Sequence, residues 1–399
     1  MNMQDTKKSR KVILMMETSR TYGRSILRGI ARYSRSHGTW IFYKKAPFYW
    51  RTGGEKFTLE KIFQMDTDGL ILREQRTRQQ TEKILALGIP TVVSPYTEPF
   101  PDFPNIVTND AAIGKMAAEY FLHRGFKQFA YCGFGQMYYW SRQRGKSFGQ
   151  RITEAGFETH YYEYELPKSR ARHSWEKEQE SIADWLRKLP KPIGLMACND
   201  DQGQHVLEAC KIAGLNVPEQ VAIIGLGNDD LICDLVTPPL SSIAVSAEKA
   251  GYAAAEVLDK LMAGKKVANQ TIIVSPTHVV TRQSTNVFAV NDRDILSALH
   301  FIHRRARKEA IQVDDVLRAV SVSRRSLYNR FAQILGRSVH EEIKRVRVEQ
   351  LAQLLVSTNL PISHIATTLG YSDIKNVARY FKQQKGMAPL EYRKHHSLS

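Results

Sequence analysis

The side chains whose type and spacing point most clearly to chemistry lie near the C-terminus. Arg324, Arg325, Tyr328, Asn329 and Arg330 share one predicted helix, and Ile374, Lys375, Asn376 and Arg379 share another about fifty residues later. A guanidinium can place two donors on guanine O6 and N7, an asparagine amide pairs with adenine, and lysine holds phosphate. These residue types on the outer face of short helices suit the reading of DNA. Catalytic spacing is missing by contrast: Gly225-x-Gly227 and Gly133-x-Gly135 lack the full G-x-G-x-x-G pattern, and no G-x-x-x-x-G-K-[ST] phosphate loop occurs.

The elements that must carry these side chains form two helix-turn-helix units in tandem. In the first, 313–320 reads as a short helix, Ser321 and Val322 as the turn, and Ser323 as the cap of a helix ending near Leu335 and Gly336. Leu327, Phe331, Ile334 and Leu335 then share one apolar face. The second unit repeats the design: a helix over 361–369, Gly370, a cap at Ser372 or Asp373, and Ile374, Val377 and Phe381 turned inward. Between them Ser338 and Glu341 form a capping box opening a long helix, whose stripe of Ile343, Val346, Leu351, Leu354 and Leu355 would mount both units on one spine. Such a spine can present two helices to successive major grooves, about 34 Å apart.

Charge agrees with that reading. Of a net +17, residues 286–399 carry +9, with 19 Lys and Arg against 10 Asp and Glu. A basic excess alone fits a solvated face as well as a phosphate backbone, so its concentration beside the tandem helices matters more than its size. The first eleven residues are polar, without an apolar signal core, and no later apolar run has membrane-spanning length, so a cytoplasmic protein is expected. Cys132, Cys198, Cys210 and Cys233 lack C-x-x-C spacing and read as reduced thiols.

Upstream, short apolar runs (12–16, 40–43, 69–72, 91–94, 129–133, 194–198, 221–225) alternate with amphipathic stretches (25–36, 111–124, 202–213, 248–262). Buried runs alternating with helices predict parallel, doubly wound α/β sheets. The pattern covers more chain than one sheet needs, so two lobes are expected, followed by an all-α tandem helix-turn-helix domain.

The segment 294–393 resembles the AraC-type DNA-binding domain through Gly370-Tyr371-Ser372-Asp373 and the ending Gly386, Pro389, Tyr392, Arg393. It departs at Asn329, where that family usually has Arg, and at Val377 in place of Phe. The preceding region resembles the LacI-family sugar sensor, itself similar to periplasmic sugar-binding proteins. Asp110-x-x-x-Gly114, His123-Arg124-Gly125, Arg144-x-x-x-Phe148, Cys198-Asn199-Asp200, Gly214-x-x-Val217-Pro218 and Pro238-Pro239-Leu240-Ser241-Ser242-Ile243 carry the likeness. Gly227 stands where that family usually has an acid. A LacI-like sensor ahead of an AraC-like reader resembles the xylose-operon regulators, with further echoes in Tyr22 and Arg24, 140–144, Arg282-x-Ser284-Thr285 and Leu327-x-x-Arg330-Phe331.

The resemblance implies a clam-shell sensor over 11–284, a linker over 285–291 and a DNA-binding domain over 292–396. It implies a regulator, not an enzyme, with no cofactor or metal, acting as a homodimer on operator DNA. D-xylose is the expected effector, a hexose or oligosaccharide the alternative, and RNA polymerase a candidate contact. A sugar-metabolising enzyme and a transport receptor are the rival classes. Sugars need polar groups for several hydroxyls and an aromatic face, outside the carboxyl ends of the strands. Glu17, Ser19, Arg20, Tyr22, Asn109, Asp110, Trp140, Arg144, Asp200 and Asn228 are the candidates, Arg144 first among them because its planar fork can grip two hydroxyls. Asp200 and Asp229 read equally well as helix caps, and Phe48, Tyr49 and Trp50 read as packing.

Overall fold

Runs of Val, Ile and Leu build two six-stranded sheets, because strands buried on both faces are apolar along their length. The computed structural model describes residues 9–44, 66–135, 138–163, 175–267, 270–371 and 374–397. Phe48, Tyr49, Trp50, Ser372 and Asp373 lie outside the described residues, as do the side chains of Ile374, Lys375 and Asn376.

The first sheet holds β1 (Lys11–Met15), β2 (Ile41–Lys44), β3 (Gly69–Arg73), β4 (Thr91–Ser94), β5 (Asn105–Thr108) and β11 (Thr271–Val274), ordered β11-β5-β4-β3-β1-β2 with every pairing parallel. The second holds β6 (Phe129–Cys132), β7 (Thr159–Tyr161), β8 (Ile193–Ala197), β9 (Val221–Leu226), β10 (Ser241–Val245) and β12 (Pro276–Val280), ordered β12-β10-β9-β8-β6-β7. Among the described residues only β12 runs antiparallel to its neighbour here, β10. The chain divides into two units, changing from one to the other after Asn109, Val245 and Ser275, with Tyr138–Trp140 also assigned to the first.

In the first unit α1 (Thr21–His37) and α8 (Ala247–Met262) pack against each other, and α2 (Arg78–Leu85) follows β3. Glycine makes the close helix contact possible. A Cβ on Gly29 would stand 1.9 Å from the Glu248 carbonyl oxygen, and one on Gly251 2.0 Å from that of Ile26.

The second unit contains the second sheet with α3 (Asp110–Leu122), α4 (Tyr139–Glu154), α5 (Trp175–Lys188), α6 (Asp200–Ala213) and α7 (Asp230–Leu235), α4 entering it at Ser141. The four cysteines are free and buried, and burial pushes their thiols up, those of Cys198 and Cys210 to about 12. The same unit includes the helical region: α9 (Arg293–Arg305), α10 (Val313–Arg318), α11 (Arg324–Leu335), α12 (Val339–Ser357), α13 (Ile362–Thr368), α14 (Ile374–Lys385) and α15 (Pro389–His396). Among the described residues no helix is long and apolar enough to cross a membrane.

Local chemistry sets the reader's helix ends. Ser326 N–H donates to the Ser323 hydroxyl at 3.3 Å, Gly336 closes α11 at φ 67°, and Ser338 and Glu341 cap each other's backbone at 2.7 and 3.2 Å. α12 is the expected spine: Ile343 and Val346 join the core of the first helix-turn-helix around Leu327 and Phe331, while Leu351 and Leu355 join that of the second helix-turn-helix around Val377 and Phe381.

The segment expected as a linker, 285–291, alternates buried and exposed residues. Phe288 and Val290 are buried in the first reader core, the phenyl ring edge-on to His303 at 4.8 Å. Their apolar bulk draws the chain down onto α9 rather than out into solvent. Further bonds join the joint and the reader to the rest of the second unit: Arg337 Nη2 donates to the His123 carbonyl at 2.6 Å, Ala289 N–H to that of Arg124 at 2.9 Å, and the Tyr392 hydroxyl to that of Thr277 on β12. Glu342, fully buried on α12, accepts from Arg337 at 2.6 Å, Arg345 at 2.7 Å and His303 at 2.8 Å.

Candidate functional site

In the first unit the polar candidates gather where the parallel strands end. The loop after β1 is folded on itself, with Ser19 N–H donating to Glu17 Oε1 at 2.8 Å, a bond that holds the Glu17 carboxyl below its ordinary value. Arg24 staples this loop through the carbonyls of Thr18 and Ser19 and the Thr21 hydroxyl, and Arg20 takes the cap position of α1, facing solvent. Gly23 lets that turn close, since a Cβ there would stand 1.7 Å from the Glu17 carbonyl oxygen. Asn109 follows β5 with its N–H donated to Val274 O at 2.9 Å.

An arginine and an aromatic set complete this side. Arg73, the last residue of β3, donates to the Ser94 hydroxyl at 2.6 Å and lies over the Tyr96 ring at 3.7 Å and near the Tyr22 ring at 5.5 Å. Tyr138 stacks on Trp140 at 5.3 Å with 10° between the planes, and Tyr96 stands 6.1 Å from Tyr138. Buried Glu74 fixes Tyr96 and Thr97 by accepting both backbone N–H groups and the Thr97 hydroxyl. Flat aromatic faces beside a guanidinium fit the C–H faces and hydroxyls of a sugar.

The second unit brings its candidates together in two small groups, one around Arg144 and one in which the Ser242 hydroxyl links the Asn228 N–H, at 3.0 Å, to Asp200. Arg144 is buried: its Nε donates to Asp110 Oδ1 at 2.8 Å and its Nη1 to the Cys198 carbonyl at 2.8 Å. Asn228, at φ 48°, accepts from Arg282 Nη1 at 2.9 Å, and Arg282 also holds Asp234. Asp200 accepts from the Ser242 hydroxyl at 2.6 Å and from Asp229 N–H at 2.8 Å. The cap of α6 is thus Asn199, which accepts from Gln202 N–H at 2.8 Å, and Asp229 holds the cap position of α7 without a side-chain cap bond. Gly227 faces the Asp200 carboxylate, because a Cβ there would stand 3.2 Å from Oδ2.

Burial pushes the Asp200 carboxyl up to about 6, against the opposing pull of Ser242 and the Asp229 amide. The folded chain therefore keeps a proton between about pH 4 and 6 that the unfolded chain has lost. The stability this confers is complete below pH 4 and disappears as pH rises through 6, a change of about 3 kcal/mol. Urea unfolding of the wild type against Asp200→Asn should show their difference shifting by that amount between pH 4 and 7. A constant difference would mean that Asp200 is ionised throughout.

On the reader, Arg324, Arg325 and Asn329 are exposed on α11, with Tyr328 half-buried beside them. Arg324 pairs with Asp314, whereas Arg325 makes no ion pair among the described residues. Arg330, the remaining candidate on this helix, has its guanidinium clamped by Asp292 at 2.7 Å and Asp294 at 3.1 Å, fastening α11 to the start of α9. Arg379 is exposed on α14, the helix that also carries Ile374, Lys375 and Asn376.

Residues 118–285 match the periplasmic binding protein-like domain family and residues 316–395 the helix-turn-helix domain family. The xylose operon regulatory protein of Haemophilus influenzae is 30% identical over 394 residues, spanning 96% of this chain and 98% of its own. That of Escherichia coli K12 is also 30% identical, over 97% of each chain. The chain belongs to the family of xylose operon regulatory proteins. A solved xylose-binding transcription activator, xylR, aligns over 98% of this chain and 99% of its own with a TM-score of 0.60 and 27% identity. As a member of that family the chain is a sugar-responsive, DNA-binding transcription regulator, not an enzyme.

Sequence reasoning missed Arg73, Glu74 and Tyr96 in this regulator. A signal was present, since Arg73 closes the apolar run Gly69–Arg73 and Tyr96 follows Thr91–Ser94, and polar residues closing buried parallel strands mark a ligand edge.

Proposed function

We propose that the sensor, 11–284, binds D-xylose or a closely related pentose, and that the reader, 292–396, binds operator DNA through α11 and α14. Arg73, Tyr96, Tyr22 and Trp140 are the candidate ligand residues of the first unit, and Arg144, Asp110, Asp200 and Asn228 those of the second. Full-length similarity to xylose operon regulatory proteins carries this reading. The chain works as a cytoplasmic homodimer, with RNA polymerase as a candidate contact. A thermal-shift panel of pentoses, hexoses and oligosaccharides tests the effector, because a ligand bound only by the folded state stabilises it by mass action. A shift with hexoses alone would reject the pentose.

On the DNA side, Arg325 is the reading residue and Lys375 a phosphate holder. Arg325→Ala should lower affinity for a selected duplex by about 1–3 kcal/mol and relax preference at one or two base pairs. Equal weakening on selected and random duplexes in a fluorescence-anisotropy titration would show that Arg325 holds only phosphate.

A further inference from the structure

A sugar-responsive regulator needs a physical link between ligand residues and DNA-reading helices, and α3 is bonded at both ends. In its first turn Asp110 holds Arg144 at 2.8 Å. The helix then spans thirteen residues, about 20 Å. Beyond its end at Leu122, the next two carbonyls belong to the reader's contacts: His123 O accepts from Arg337 and Arg124 O from the Ala289 N–H. Arg337 is anchored in turn, since its Nε donates to Glu342 Oε2 at 2.6 Å and Glu342 is wholly buried on the spine helix. The last turn of α3 also reaches the entry to the reader, where the Tyr120 hydroxyl bonds those of Thr281 at 3.0 Å and Thr285 at 2.6 Å.

A packed helix moves as a body, because its hydrogen bonds and dense surroundings resist stretching. We propose that α3 carries the ligand state to the reader and that Arg337 is the positioning residue locking the spine helix to the end of α3. This rests on the reading that D-xylose binds beside Asp110 and Arg144. A sugar that favours one placement of that pair then favours one placement of the reader, by the ratio of its affinities for the two.

The test uses the full chain, D-xylose, and a duplex selected by the wild type from a randomised pool. Arg337→Ala removes the lock. Arg337→Lys keeps the charge beside Glu342 with a point donor that reaches one partner rather than two, and so guards against loss of folding. Both variants should bind D-xylose within about threefold of wild type by calorimetry, while the factor by which D-xylose changes duplex affinity falls about tenfold or to one. Residue-resolved hydrogen exchange, measured without sugar, should show the Ala289 amide losing protection in Arg337→Ala. A merely structural role would lower melting temperature and leave the coupling factor alone. Wild-type coupling in folded Arg337→Lys, or retained Ala289 protection in Arg337→Ala, overturns the inference. A wild type indifferent to D-xylose but with an Arg337-dependent Ala289 amide overturns the effector reading instead and keeps the lock.

Discussion

Arg144→Ala should cost the regulator both its sugar affinity and part of its stability. On the proposed reading, in which Arg144 grips the sugar, truncation deletes charge-assisted bonds to it, a loss of about 2–4 kcal/mol or roughly thirty-fold to thousand-fold in D-xylose affinity. It also strips Asp110, itself buried, of the guanidinium at 2.8 Å. Breaking such a buried pair costs about 3–5 kcal/mol because the carboxylate stays behind in a poorly solvating site. The two losses separate in the pair Arg144→Met with Asp110→Asn, which removes both charges: its melting temperature by circular dichroism should return towards wild type while D-xylose affinity by calorimetry stays at least about thirty-fold lowered. Unchanged D-xylose affinity in folded Arg144→Ala would remove Arg144 from the site.

Glu342→Ala should be as damaging to the fold, without touching the ligand residues. It leaves Arg337 and Arg345 side by side, and a loss of about 3–5 kcal/mol at neutral pH is expected. Burial pushes the Glu342 carboxyl up, but Arg345, His303 and Arg337 outweigh it and hold it well below the carboxylate range. Burial also drives His303 down to about 3 against the pull of Glu342, so His303 stays neutral and donates to the carboxylate. The unfolded chain protonates that histidine near 6.5 and the folded chain only near 3. The associated stability is therefore complete above pH 6.5 and is lost as pH falls towards 3. By pH 5 the loss is about 2 kcal/mol. His303→Gln, which keeps a donor without a titrating group, should lose that much less stability between pH 7 and 5 in urea unfolding. An identical slope in both proteins would mean that His303 is charged at Glu342.

The reader was legible in detail because its signals are local. Ser323, Gly336, Ser338 and Glu341 act within one helical turn, and their spacing alone places the ends of α11 and α12. The two lobes were legible from long buried runs such as Val221–Leu226, whereas β5 and β10 escaped because Asn105, Thr108, Ser241 and Ser242 interrupt their apolar character. The surroundings of the candidate ligand residues were harder to read. Their partners are distant in sequence: Arg144 meets Asp110 across 34 positions and Cys198 across 54. Arg330 shows the same limit, since its engagement by Asp292 and Asp294 depends on how α9 packs and not on its own helix. The joint over 285–291 looked like a tether because its neighbours are polar, yet two apolar side chains suffice to dock it.

That docked joint decides how such regulators can be recombined. Phe288 and Val290 belong to the reader's core although they precede its first helix, so a chimera cut at residue 292 would remove part of the module it means to transplant. A cut ahead of Phe288 keeps the core whole but still leaves Arg337 and Tyr392 facing a foreign sensor, without the His123 and Thr277 carbonyls they are keyed to. Exchange of sensing specificity is therefore easier by changing residues at the strand ends than by swapping whole domains, and this places the architecture closer to an integrated machine than to a pair of interchangeable cassettes.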